Sequence, residues 1–538
     1  MGDGVLLARI DMPGRSMNVF SEALIDELER LIDRVDADQD VLGVVVTSGK
    51  ASFLAGADLA MVRGMTQRAA TDSREQMFEF CGRLGRLFLR IEQSAKPWVA
   101  AVNGTALGGG LELAMACAAR LIDTDPKALL GLPEVKLGLL PGAGGTQRLP
   151  RFVGLALGLD LLVSGRSLSP DTAIKAGLFE PVPPGHALLA AAQARLHALR
   201  AAGAYSAQAK FPFATLNAPA DDELQVRGLA QALKISDDAL RDYPAYRAII
   251  RSVLAGAALP LPQANDVEMT RFLDLMFDPV AGNMVNTLFL QRQRVEKIAA
   301  NLAKVPPNAL AIGVLSDHAS AWHDALVRTG VTMVEVAALP KDTIEVPLDV
   351  HTKVRLSLTT VAAAPLRSSF ELTLVLSERS AHGRVVELLT GSRKLSSAEV
   401  GVIAALVRKM QSLLVITPQG GSVLRLVADA AGIADAASPA DSAGPAETAG
   451  SATGASLRLD AMAAAAVSAL SSGQADDPAA LDVALVLAGI APAYSGGPCH
   501  HLWHNRQTLG PQLQQQLGDA YSAVQQRLAA SLTQEHTL

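Results

Sequence analysis

The run PWVAAVNGTALGGGLELAMACAARL at residues 97–121 constrains the fold of this chain more than any other stretch. Val99, Ala100, Ala101 and Val102 are apolar without alternation, as in a strand buried on both faces. Three successive glycines follow, Gly108, Gly109 and Gly110, and then an apolar helix with Glu112 in its first turn. N–H groups at a helix start have no intrahelical partner, and the helix dipole favours negative charge there. Glycine also lets another molecule approach the backbone closely. Such a turn is suited to hold an oxygen that becomes negative during a reaction. Glu112 is expected beside that oxygen, although dipole stabilisation alone also accounts for a carboxylate at this position.

A second stretch, LGLPEVKLGLLPGAGGTQRLPRFVG, carries Glu134 between Pro133 and Val135, with Leu132, Leu137 and Leu139 as apolar neighbours. A carboxyl in partly desolvated surroundings has its pKa raised toward working pH, as a general acid or base requires. Read singly, Glu134 is equally an ordinary loop residue. An earlier segment, ASFLAGADLAMVRGM, follows the strand LGVVVTSG and supplies a second backbone element. Ala55, Gly56 and Ala57 are small residues at a strand-to-helix transition, and Asp58 is suited to cap the helix. The Ala57 N–H is a candidate second donor to the developing oxyanion.

Through FLAGADL, AVNGTALGGGLELAMAC and LPEVKLGLLPGAGGTQRL, the chain resembles the crotonase, or enoyl-CoA hydratase/isomerase, superfamily over residues 1–190. The resemblance implies a ββα spiral, with the N–H groups of Ala57 and Gly109 holding a thioester oxygen. It places the family's two catalytic carboxylates on Glu112, orienting and deprotonating water for attack at C3, and on Glu134, delivering a proton to C2. Substrate contacts are expected at Ala55, Gly56, Asp58, Gly108, Gly110, Pro133, Pro141 and Gly142. A coenzyme A thioester is the implied substrate, and hydration needs no cofactor. Two carboxylates favour hydration of a trans-2-enoyl-CoA; moving a 3-enoyl double bond needs the same oxyanion hole and one carboxylate, so isomerisation stays open.

A single unit of this kind does not fill 538 residues. The amphipathic helix SEALIDELERLIDRVDAD belongs to the N-terminal unit, with Leu24, Leu28, Leu31 and Ile32 expected on one face. Residues 191–305 read as a helical connector, and YPAYRAIIRSVLAGAALPLPQANDVEMTRFLDLMFDPVAGNMVNTLFLQRQRVEK resembles the segment joining hydratase and dehydrogenase parts in the fused α-subunit of the bacterial β-oxidation complex. That resemblance implies a dinucleotide-binding domain next. The strand NALAIGVL is present, but Val314, Leu315, Ser316, Asp317, His318 and Ala319 stand where three glycines are needed for the turn, the pyrophosphate and helix packing. Glu335 falls two residues before the expected ribose-binding position at Ala337. Aligning RVVELL on the dehydrogenase strand puts that family's catalytic histidine at Val375, and His382 lacks the flanking Asn-Pro. Residues 306–425 therefore read as a shortened Rossmann-like α/β domain with NAD binding lost, the rival being an oxidoreductase with an unusual loop. An Ala/Ser/Gly/Pro-rich linker is expected over 426–456. A helical dehydrogenase C-terminal-like domain is expected over 457–538, which contains the Gly-Ile-Ala-Pro…Gly-Gly-Pro pattern.

A net charge of −6 and the lack of a basic patch argue against nucleic acid and anionic membranes. Cys81, Cys117 and Cys499 show no metal or redox spacing, as in a reducing compartment. With no signal-like N-terminus and no long apolar run, a cytoplasmic protein without a membrane span is expected. Cys499, His500, His501 and His504 cluster, yet zinc needs four converging ligands and a structural cluster is expected. Expected partners are an acyl-CoA and either a thiolase-like β-subunit or further copies of this chain. Two functions stay open: a hydratase whose C-terminal half is an interaction scaffold, and a non-catalytic subunit binding acyl-CoA or a thiolase-like partner.

Overall fold

The computed structural model describes residues 3–123, 127–182, 186–201, 216–302, 311–314, 322, 325–326, 332–334, 343–347, 353–361, 372–391, 393–418, 420–437 and 454–533. The chain divides into two compact units, Met1–Gly282 and Asn283–Leu538. Among the described residues no helix is long and apolar enough to cross a membrane.

The first unit is built on two parallel sheets. The larger has five strands in the order β1 (Val5–Ile10), β2 (Gly43–Ser48), β4 (Trp98–Val102), β6 (Ala119–Ile122), β8 (Glu180–Pro181). The smaller has three short ones, β3 (Leu54–Ala55), β5 (Ala106–Leu107) and β7 (Leu130–Gly131). Three successive pairs, β2 with β3, β4 with β5 and β6 with β7, each give one strand to the large sheet and one to the small sheet before the chain turns into helix, which is the ββα spiral. The all-apolar strand β4 is buried throughout, as its lack of alternation requires.

The helices of this unit are α1 (Glu22–Ala37), α2 (Leu59–Ala69), α3 (Arg74–Gln93), α4 (Gly109–Ala116), α5 (Gly145–Val153), α6 (Leu155–Ser164), α7 (Pro170–Lys175), α8 (Leu188–Ala201), α9 (Glu223–Ala232), α10 (Asp237–Asp242), α11 (Pro244–Gly256) and α12 (Leu261–Met276). In α1, Ser21 caps the start and the buried stripe is Ile25, Leu28, Ile32 and Val35; Leu24 and Leu31 sit at its half-buried margin, one step round the helix from the expected face. Helix α8 lays Ala191, Ala192 and Leu196 over Val5, Val45, Val99 and Leu121 of the large sheet. Each large apolar side chain covered there contributes about 1.5–3 kcal/mol. The compact unit therefore continues past residue 190, through α8 to α12, and the expected connector over 191–305 is divided between the two units.

The second unit carries a seven-stranded mixed sheet in the order Thr332–Val334, Ala311–Val314, Thr343–Pro347, Lys353–Thr360, Thr373–Leu376, Val385–Leu389, Leu413–Thr417. Its first two strands are parallel, as at the start of a βαβ unit, but two antiparallel pairings follow. The capped helix Ser397–Lys409 packs on the sheet through Val402, Ile403, Leu406 and Val407. Helix Val423–Ala437 occupies the first part of the segment expected to be linker; 438–453 lie outside the described residues, as do 315–319, Glu335 and Ala337. Among the described residues, five α-helices from Gly454–Ser471 to Asp519–Thr533 and the 3-10 turn Ala493–Ser495 form the C-terminal part.

Candidate active site

The small sheet brings the three motif segments together. Its parallel register pairs Ala55 with Leu107 and Leu107 with Gly131. Two residues beyond the first pair lie Ala57 and Gly109, and three beyond Gly131 lies Glu134, so all three leave the same end of the sheet. Phe20 bridges Ala57 by donating to the Gly56 carbonyl at 2.7 Å and accepting from the Asp58 N–H at 2.8 Å. Successive N–H groups of an extended chain point to opposite sides, so Ala57 turns its own N–H away from Phe20. Gly109 is the first residue of α4, where no intrahelical acceptor exists. Among the described residues, neither of these two N–H groups donates a hydrogen bond.

Two glycines permit this approach. Gly56 has φ +80° and Gly108 φ +53°. A Cβ added at Gly108 would lie 2.5 Å from Glu134 Oε1 and 3.5 Å from Gly56 Cα, so the Glu134 carboxyl rests on the Gly108 backbone. Gly109 faces the Phe20 ring and Leu84 of α3, and Gly110 packs against Leu54. Pro133 starts the short 3-10 turn Glu134–Leu137, Gly142 lies against the Phe272 ring, and Pro141 packs against Gly145. Asp58 caps α2 by accepting from the Met61 N–H and pairs with Arg15 at 2.9 Å. Ala55 donates from its N–H to the Asn18 carbonyl.

The two glutamates have different surroundings. Glu112 is buried, and its Oε1 accepts from the N–H groups of Ala143 at 2.9 Å and Gly145 at 2.8 Å. Burial raises its pKa, against the pull of those two N–H groups and of Arg148. Glu134 is half-buried as a residue, but its Oε2 is buried without a hydrogen-bond partner. Burial first, then the Glu112 charge, pushes its pKa up to about 8. A carboxylate holding two N–H donors favours the charged form, and a carboxyl with an unpartnered oxygen favours the neutral one. The two carboxyls thus differ in their donors: Glu112 Oε1 holds two N–H groups and Glu134 Oε2 holds none.

Sequence reasoning missed the groups behind this pair. Glu268 of α12 is buried and accepts from the Thr146 N–H at 2.8 Å, the Gly144 N–H and the Thr146 hydroxyl. Arg148, fully buried, pairs with Glu92 at 3.0 Å and donates to the Ala143 carbonyl at 2.7 Å. The available signal was a charged residue inside an apolar helical stripe: Glu268 falls between Ala264 and Phe272 on the buried face of α12.

In the second unit, Val375 pairs directly opposite Glu387 in the antiparallel ladder. Glu387 is buried and accepts from the hydroxyls of Thr417 and Ser422, both at 2.6 Å, and from the Val423 N–H at 2.8 Å. A valine side chain offers the carboxylate no hydrogen bond. His382 lies in the turn between those strands, where burial lowers its pKa. The histidine cluster disperses onto separate partners: His500 Nε2 meets Asn283 Oδ1 at 2.8 Å, His501 Nε2 meets Asp460 at 2.8 Å, and Cys499 donates from its N–H to Asp482. His500 and His504 share a helix face, with ring centroids 4.1 Å apart.

A parallel ββα spiral that gathers two N–H groups and two unlike carboxyls at the end of its small sheet is the arrangement of a crotonase-type fold. Residues 2–244 match the family described as enoyl-CoA hydratase/isomerase. The chain is 36% identical over 331 residues to a fatty acid oxidation complex subunit alpha of Idiomarina loihiensis, an overlap of 58% of this chain and 43% of that one. A protein of the same description from Shewanella frigidimarina is 34% identical over 342 residues, 63% of this chain and 46% of the relative. The chain thus spans less than half the length of these relatives. An enoyl-CoA hydratase structure from Geobacillus kaustophilus aligns at 26% identity with a TM-score of 0.32, covering 54% of this chain and 92% of that one.

Proposed function

We propose that the first unit hydrates trans-2-enoyl-CoA thioesters to 3-hydroxyacyl-CoA as a step of fatty-acid β-oxidation. The observation that carries this reading is the pairing of Glu112, held by two N–H groups, with Glu134, whose Oε2 has no hydrogen-bond partner, beside the free N–H groups of Ala57 and Gly109. The thioester oxygen sits on those two N–H groups. Glu112 takes a proton from water as the water oxygen bonds to C3; the C2–C3 π electrons move toward the thioester, whose oxygen becomes negative between the two donors. Glu134 then gives its proton to C2, and exchange with solvent resets the pair. One oxyanion donor is worth about 3–4 kcal/mol and a positioned acid about 10²–10⁴ in rate. The same oxyanion hole with Glu134 alone supports moving a 3-enoyl double bond to C2.

Hydration by this route uses no cofactor. The dehydrogenase-like half is read as inactive: Val375 opposite Glu387 supports the loss of its histidine, and loss of NAD binding rests on the sequence at 315–319. We place the protein in the cytoplasm, as the wide spacing of Cys81, Cys117 and Cys499 in the sequence supports, and in a complex with a thiolase-like subunit or further copies of itself. Crotonyl-CoA and a medium-chain 2-enoyl-CoA offered to wild type and to Glu134→Gln test the reading. Glutamate-dependent hydration supports it; silence of the wild type with both substrates favours a non-catalytic acyl-CoA-binding subunit.

A further inference from the structure

Helix α12 lies beyond the stretch matched by the hydratase/isomerase family, yet it sends a carboxylate into the start of α5. The turn Ala143–Thr146 has carboxylates on two sides. Ala143 and Gly145 give their N–H groups to Glu112, while Gly144 and Thr146 give theirs to Glu268, so alternate residues of one turn hold two buried carboxylates. The Thr146 hydroxyl, itself 2.8 Å from Ser252 Oγ, also donates to Glu268. A displacement of Glu268 therefore moves the N–H pair that orients Glu112.

The charge balance adds a second consequence. The groups facing this cluster are Glu112 on α4, Glu134 on the 3-10 turn, Glu92 on α3, and Arg148 and Arg151 on α5. Arg148 is engaged by Glu92 through both of its carboxylate oxygens, at 3.0 and 3.2 Å. Arg151 donates to Gln147 and to the carbonyl of Gly256. That leaves Glu112, Glu134 and Glu268 without a dedicated cation among the described residues, and like charges this near in a buried place do not all ionise. N–H and O–H donors are distributed to Glu112 and Glu268; Glu134 Oε2 has none.

We propose that Glu268 is a positioning residue of this site: it clamps the turn whose N–H groups hold Glu112 and, as the third carboxylate of the cluster, directs the exchangeable proton to Glu134. The catalytic meaning of that proton rests on the hydratase reading above, but its location does not. Burial and the charges of Glu112 and Glu268 all push the Glu134 pKa upward, and burial and the Glu112 charge bring Glu268 itself up to about 8, so the two carboxyls titrate over the same range. Removing the Glu268 charge lowers it, so Glu134 gives up its proton at lower pH.

The test is an infrared titration of the full-length protein, following the carboxylic C=O band that disappears in Glu134→Gln. In Glu268→Gln the midpoint of that band is expected to fall by about one pH unit, tenfold in proton affinity. Thr146→Val removes only the hydroxyl donor, makes Glu268 easier to protonate, and moves the midpoint in the same direction. The alkaline limb of kcat/KM for hydration follows the band in both variants. An unmoved midpoint in folded Glu268→Gln, or in Thr146→Val should the first variant not fold, overturns the proposal. A purely structural role changes the melting temperature and leaves the midpoint in place. If wild type hydrates nothing while the band shifts, the hydratase reading fails and the proton assignment stands.

Discussion

Replacing Glu134 by Gln is expected to separate stability from activity, with a sign that depends on pH. The Glu134 carboxyl goes from an ordinary value of 4.5 to about 8 on folding. That difference of about 3.5 pH units corresponds to roughly 5 kcal/mol at about 1.4 kcal/mol each. Because the residue is half-buried and reaches solvent, screening reduces the expected contribution to about 1–3 kcal/mol. A pKa raised on folding gives stability that is complete below the unfolded value and is lost as pH rises through the folded one. The wild-type first unit therefore loses stability between about pH 4.5 and pH 8, and the neutral glutamine does not. About four-sevenths of that contribution is lost between pH 6 and pH 8, so at about 2–4 °C per kcal/mol the Tm of Glu134→Gln relative to wild type should rise by about 1–7 °C between pH 6 and pH 9. Calorimetry at both pH values reads this, and hydration by the same variant should fall about 10²–10⁴-fold. A Tm difference that is the same at both pH values would refute the argument that Glu134 is buried in its neutral form.

Other consequences are as specific. Glu112→Gln keeps the shape of the side chain but removes the base, so hydration should fall at least about 10²-fold with unchanged circular dichroism. Gly108→Ala puts a Cβ 2.5 Å from Glu134 Oε1 at a φ of +53°; a loss of about tenfold or more in kcat is expected, and wild-type kinetics would contradict the placement of that carboxyl. Arg148→Met breaks the buried ion pair with Glu92 and should cost about 3–5 kcal/mol, measured by denaturant unfolding. No saturable NAD binding is expected in titration calorimetry, and a measurable Kd would overturn the reading of residues 306–425.

The spiral and its site motifs were legible because they depend on local chemistry. Unbroken apolarity announced the buried strand Trp98–Val102, and the glycines at 108–110 announced a helix start with exposed N–H groups. Asp58 was recognised as a cap from its side chain alone. What stayed hidden depends on tertiary placement. Nothing in the α8 sequence says which sheet its alanines cover, so the unit was expected to end near 190 rather than at Gly282. The α1 stripe was misplaced by one step because leucines at 24 and 31 compete with Ile25 and Val35 for the same face. Glu268 lies more than a hundred residues from the turn it holds, and only its position on an apolar helical face hinted at a buried charge.

The central claim is that Glu112 and Glu134 add water across an enoyl thioester held by Ala57 and Gly109. Its most direct test follows the enoyl-thioester absorbance of crotonyl-CoA with the purified full-length chain and, in parallel, with Glu134→Gln. The account predicts a steady loss of absorbance with wild type, yielding 3-hydroxybutyryl-CoA, that nearly vanishes in the variant. Equal rates in the two proteins, or no change with either, would contradict it.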